Sequence, residues 1–165
     1  MDRPNPSPEP LSGAEATAPF VEDYLSYLLA RASHLVSHEF HARLTEAGLS
    51  VPVWRVLAVL YDRDNLVIGV LARMVLLKQP TLSKALDRMI ADGLVTRSPS
   101  TNDRRRVHVE ITAHGRALVE QHIKVAKDLE AEALAEFSAT EIATIKTVLR
   151  SLIAKLDKKP GDDSE

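Results

Sequence analysis

The chain has 165 residues, enough for one domain, and its 45% apolar and 27% charged residues are ordinary for a globular protein. The absence of cysteine excludes disulfides, thiolate metal sites, cysteine nucleophiles and thiol redox sensing, and 4% aromatics leave the core to Leu, Val, Ile and Ala. The net charge of −2 hides an asymmetry: from Arg73 to Arg116 nine Lys/Arg face four Asp/Glu, while the remainder holds twelve bases against nineteen acids.

Residues 1–19 contain five of the nine prolines (Pro4, Pro6, Pro8, Pro10, Pro19) and read as a disordered tail. From Phe20 to Ala47 the spacing of Tyr24, Leu28, Leu35, Phe40 and Leu44 predicts one helix, stopped by Gly48. Ser50 is the expected cap of a second helix, with Pro52 in its first turn and Val53, Val56, Leu57 and Leu60 on its buried stripe. A polar break, Asp62 to Asn65, precedes a short apolar helix, Val67 to Val75. The tight linker Leu76-Leu77-Lys78 leads to a helix from Gln79 to Ile90. Leu82, Leu86, Met89 and Ile90 form its apolar face, opposite Gln79, Thr81, Ser83, Lys84, Asp87 and Arg88. Gly93 ends it.

The period then changes. Leu94 to Arg97 is a short strand candidate, and Val107 to Ile111 alternates apolar and polar strictly, so the two form a hairpin around the polar run 98–106. Thr112 caps a long helix reaching about Phe137, and Ser138 (with Glu141 as its capping-box partner) or Thr140 starts a last helix ending at Leu156. Residues 158–165 form a flexible charged tail. No run approaches ~18 apolar residues and the N-terminus lacks a signal peptide, so a soluble, cytoplasmic chain with no membrane contact is expected.

Two helices joined by a tight turn, the second polar outside and followed by a basic hairpin, form a winged helix-turn-helix. The expected fold is mainly α with a small β-hairpin wing. A major groove admits one such helix, where amides and hydroxyls reach base edges and Lys or Arg meet phosphate or guanine. Gln79, Thr81, Ser83, Lys84 and Arg88 suit that task. At the tip, Arg104 and Arg105 suit a minor groove, where the potential is most negative over A·T-rich sequence, and Asp103 is placed to hold Arg105 in register.

The run Ala91-Asp92-Gly93-Leu94-Val95, the tip Asn102-Asp103-Arg104-Arg105-Arg106 and the closing Ile111-Thr112-Ala113-His114-Gly115 resemble the MarR family of bacterial transcription regulators. Here Asp103-x-Arg105 matches the family's wing, and Ile111 replaces the usual Leu of Leu-Thr-x-x-Gly. The resemblance covers roughly 22–157. It implies a homodimer with intertwined terminal helices (20–48 and 116–157), a DNA-binding region (50–115) reading a pseudo-palindrome, and repression relieved by a small ligand.

Arg31, His34, His38 and His41 recur at helical spacing. They read as hydrogen-bonded or interface histidines, as an anion-binding wall, or as a zinc site of the kind some relatives use, although Glu39 falls on another side of the helix. Trp54, the only tryptophan, and Arg55 read as core filler or as part of a ligand cleft. The expected ligand site is therefore Arg31, His34, His38, Trp54 and Arg55, and the expected effector is an aromatic acid or its CoA thioester. No metal, cofactor or enzymatic activity is expected, because no phosphate loop, nucleophile elbow or His-Glu-x-x-His run occurs. The alternatives are a helical scaffold without specific DNA binding and a zinc-responsive regulator.

Overall fold

A computed structural model describes residues 19–99 and 107–157. Most of the expected N-terminal tail, the tail at 158–165 and the hairpin tip with Asp103, Arg104 and Arg105 lie outside those residues. The chain divides into two units, 1–35 and 36–165.

In the first unit, the single helix expected from Phe20 is broken. Helix α1 (Phe20–Asp23) ends at Tyr24, whose backbone is extended, and α2 (Leu25–Glu46) begins after it. Tyr24 C=O accepts from Tyr27 N at 2.9 Å and Leu28 N at 3.1 Å, so Tyr24 serves as the cap of α2. Side-chain spacing is the same on both sides of this break, which is why periodicity does not show it. The Phe20 and Tyr24 rings stack at 4.9 Å.

The second unit contains the rest of α2, then α3 (Val51–Asp62), β1 (Leu66–Val67), α4 (Ile68–Met74), α5 (Gln79–Ala91), β2 (Val95–Pro99), β3 (Val107–Ile111), α6 (Ala113–Ala133) and α7 (Ala139–Leu156). The hairpin gains a third strand. In an antiparallel sheet of order β1-β3-β2, Leu66 pairs with Val109 and Val67 with His108. Two residues are too few to show a period, so the sequence assigned Val67 to the helix it in fact precedes. On the other edge Arg97 pairs with Val109 and Pro99 with Val107, so β2 begins at Val95 and runs two residues past the expected end. Helix α6 stops at Ala133, short of Phe137.

The core fills the space between α3, α4, α5, the sheet and α6. Leu57, Leu60, Leu71, Leu82, Leu86, Met89, Val109 and Val119 are all buried in it. Ile90, assigned to the same face, is instead exposed. A second cluster sets Phe40, Leu44 and Leu49 against Trp54, Leu118 and Leu129.

Helix ends follow their chemistry. Ser50 holds the cap position of α3 but makes no side-chain cap bond. Thr112 Oγ1 accepts from Gly115 N at 3.0 Å and lies 2.7 Å from Gly93 O, so one hydroxyl caps α6 and ties it to the end of α5. Ser138 and Glu141 close a reciprocal capping box, and the Ser138 hydroxyl and amide hold the Glu141 carboxyl below its usual range.

Candidate nucleic-acid interface

Helix α5 presents Gln79, Thr81, Lys84 and Arg88 to solvent while Leu82, Leu86 and Met89 anchor its opposite side. The i, i+4, i+7 spacing of the buried set leaves the polar set on a continuous outer strip. Among the described residues neither Lys84 nor Arg88 belongs to an ion pair. Both charges are therefore available to an anion. Pro80 sits in the first turn, where its missing N–H costs no helical bond. The Gln79 amide rests over Gly69 of α4, with Nε2 3.0 Å from where a β-carbon on that glycine would lie.

Ser83 departs from the exposed set. It is half-buried, and its carbonyl accepts from Arg97 Nη2 of β2 at 3.0 Å. Arg97 Nη1 also donates to Asp87 Oδ1 at 2.6 Å. Arg97 lies two residues from the buried Val95 and so shares its inward face, where an arginine needs acceptors. A second tie lies behind the helix. Asp64 Oδ1 accepts from Ile111 N at 2.9 Å, and Oδ2 from Arg116 at 2.5 Å, so the α3–β1 turn, β3 and α6 meet at one carboxylate. In the sequence the same segment, Asp62 to Asn65, is only a polar break.

An open groove of about 830 Å³ runs along the same helix, between α5, the start of α3 and the start of α6. Its apolar wall includes Leu49, Val53 and Leu118, and Lys84, Arg88 and His114 supply its basic groups.

The five residues expected to bind a ligand are distributed differently. Arg31 and His34 belong to the first unit, where Arg31 Nη1 donates to Tyr27 Oη at 2.9 Å. His38, Trp54 and Arg55 belong to the second. Trp54 meets Phe40 edge-on at 5.1 Å and packs into the second core cluster, while Arg55 is exposed. None of the five lines the groove beside α5. Among the described residues no three His, Asp or Glu side chains gather as metal ligands would.

The sequence profile of the MarR family matches residues 47–106, from just after α2 to the residue before β3. A solved MarR family transcriptional regulator from Silicibacter pomeroyi DSS-3 is 42% identical, with a TM-score of 0.73 over 84% of this chain and 99% of that one. The chain belongs to the MarR family. Among other MarR relatives, the HTH-type transcriptional repressor IacR of Pseudomonas putida is 28% identical over 82% of this chain and 81% of its own. A point mutant of Escherichia coli MarR, solved with operator DNA, is 25% identical, covers 83% of this chain and 99% of its own, and gives a TM-score of 0.69. These MarR relatives are transcriptional regulators, not enzymes, and their winged helix-turn-helix is the fold seen here. Among the described residues no single helix is long and apolar enough to cross a membrane.

Proposed function

We propose that this MarR family regulator is a homodimeric repressor whose α5 enters the major groove of a pseudo-palindromic operator, with the hairpin reaching the adjacent minor groove through Arg104 and Arg105. The observation that carries this reading is the two-sided character of α5: a fully buried Leu82–Leu86–Met89 stripe fixes the helix, and the exposed Gln79–Thr81–Lys84–Arg88 strip has no ion-pair partner for its charges among the described residues. The repressor named among the relatives and the operator-bound homologue support the same role. Helices 20–48 and 116–157 supply the dimer contact.

Release is assigned to a small anionic molecule with an apolar body, such as an aromatic acid or its CoA thioester. The groove beside α5 offers the complementary chemistry, because its apolar wall is joined by Lys84 and Arg88 of α5, with Asp92 the acid that lines it. Half-sites one helical turn, ~34 Å, apart require both reading helices to dock together, so a ligand that fixes another spacing blocks binding.

The test is titration of the protein against a duplex selected from a randomised pool. Lys84→Ala is expected to weaken binding to all sequences and to make the slope of log K against log salt shallower by about one. A salt-independent interaction would identify the scaffold alternative. Aromatic acids titrated into the free protein should lose affinity in Arg88→Ala if the groove is the seat, and in Arg31→Ala if α2 supplies it. Ligand-bound protein retaining full duplex affinity would reject the switch.

A further inference from the structure

We infer that Arg97 is a positioning residue for DNA reading: it locks the reading helix to the wing, so that α5 and the hairpin present themselves to a duplex as one body. This rests on the assignment of α5 as the reading helix.

The guanidinium spans two elements. Nη2 donates to the carbonyl of Ser83 and Nη1 to Oδ1 of Asp87, one turn further along α5. Both acceptors lie on α5, and the donor lies on β2, the strand that leads into the hairpin connection. A backbone acceptor and a carboxylate together define both the distance and the rotation of the helix against the strand, because the planar fork has a fixed geometry. Arg97 is also turned inward. Its side chain is 27% exposed and its Nε is buried without a partner among the described residues, whereas Asp87 is 64% exposed. An arginine that served phosphate would carry its head outward, as Lys84 does. The bond has a second effect: it neutralises a carboxylate on the helix that must approach the phosphate backbone.

Positioning and direct contact leave different signatures. A phosphate contact contributes equally to every sequence and to the salt slope. A positioning bond contributes chiefly where both reading elements must be in register, on the specific duplex.

The experiment measures affinity by fluorescence anisotropy for two probes, the duplex selected by the wild-type protein and a scrambled duplex of equal length. Arg97→Ala, Asp87→Ala and the double variant are compared, with Lys84→Ala as reference. Arg97→Ala should lower the ratio of specific to scrambled affinity at least tenfold, with the salt slope on the scrambled duplex unchanged. Asp87→Ala should lower the same ratio at least threefold while scrambled affinity holds or rises. The double variant should fall no further than Arg97→Ala alone, because Arg97→Ala already removes the bond that Asp87→Ala breaks. Asp87→Ala keeps the test decisive if Arg97→Ala fails to fold, since it alters an exposed side chain. An equal loss on both duplexes with a shallower salt slope would make Arg97 a phosphate contact and overturn the proposal. So would additive losses, or an unchanged ratio in Asp87→Ala. If Lys84→Ala also has no effect on either probe, the assignment of α5 itself fails.

Discussion

Among the described glycines, Gly115 has the least room for a side chain. A β-carbon there would lie 2.3 Å from Leu94 O and 2.8 Å from Ile111 Cγ1. Neither neighbour can retreat easily: Leu94 O accepts from Thr112 N at 3.1 Å, and the Thr112 hydroxyl lies 3.0 Å from the same oxygen. The pattern Thr112-x-x-Gly115 thus encodes a close approach of α6 to the chain just after α5. Gly115→Ala should destabilise the protein by about 2–3 kcal/mol, the scale of overpacking against atoms that cannot move. A fall in the urea midpoint at constant m-value would report it, and an unchanged midpoint would show that Leu94 O yields. The two residues were visible in the sequence as a motif. Their reason was not, because it lies in a carbonyl 21 positions earlier, and no local pattern carries that distance. Arg97 and Asp87 show the same limit, since each is an ordinary charged residue until β2 and α5 are brought side by side.

Among the elements, three helices end with the same pair of bonds, and one of them breaks the rule that makes the others legible. After α2, Leu49 N donates to Leu44 O and Gly48 N to Thr45 O; after α5, Leu94 N donates to Met89 O and Gly93 N to Ile90 O. Gly48 and Gly93 take the left-handed φ this closure requires, at +75° and +69°. After α4, Leu77 N donates to Ala72 O and Leu76 N to Arg73 O, but the left-handed residue is Leu76, with φ +59°. The helix-turn-helix turn is therefore closed by a residue that pays roughly 1–2 kcal/mol for its conformation. Leu76 is 79% exposed, so packing offsets little of that. Leu76→Gly should raise stability by about 0.5–1 kcal/mol once the extra chain entropy of glycine is subtracted. A thermal midpoint that falls would show that the leucine side chain contributes more than its exposure implies. The two glycine stops and the capping box were readable because their residue types are specific to those geometries. The left-handed Leu76 after α4, the two-residue strand β1 and the Tyr24 break carry no such residue type, and only tertiary context sets them.

At the scale of the whole chain, its terminal helices carry more apolar surface than they cover. None of the residues of α7 is buried; Val148 is 60% exposed, Ile153 64% and Leu156 69%. In the N-terminal unit Phe20 is 74% exposed and Leu25 57%. Helix α7 has a sound cap and a tie to α6 through Lys146 and Glu130 at 3.1 Å, so it is a formed helix with an open stripe rather than a frayed end. Burying each large side chain is worth about 1.5–3 kcal/mol, and surfaces of this kind mark interaction sites. A second copy of the chain is the occupant that the proposed palindromic reading requires. Val148→Glu tests this without touching the core, because the side chain already faces outward. Sedimentation should show the wild type as a dimer with a concentration-dependent thermal midpoint, and the variant displaced toward monomer with that dependence weakened. The consequence for DNA follows from linkage. Two half-sites bound by one dimer gain an effective concentration that separate monomers lack, so operator affinity should drop by ~10²-fold or more. Affinity for an isolated half-site should be nearly unchanged, which separates lost pairing from a damaged reading helix. A monomeric wild type that binds the full palindrome as tightly as the dimer should would defeat this architecture. A dimeric Val148→Glu variant with intact affinity would move the contact to another face.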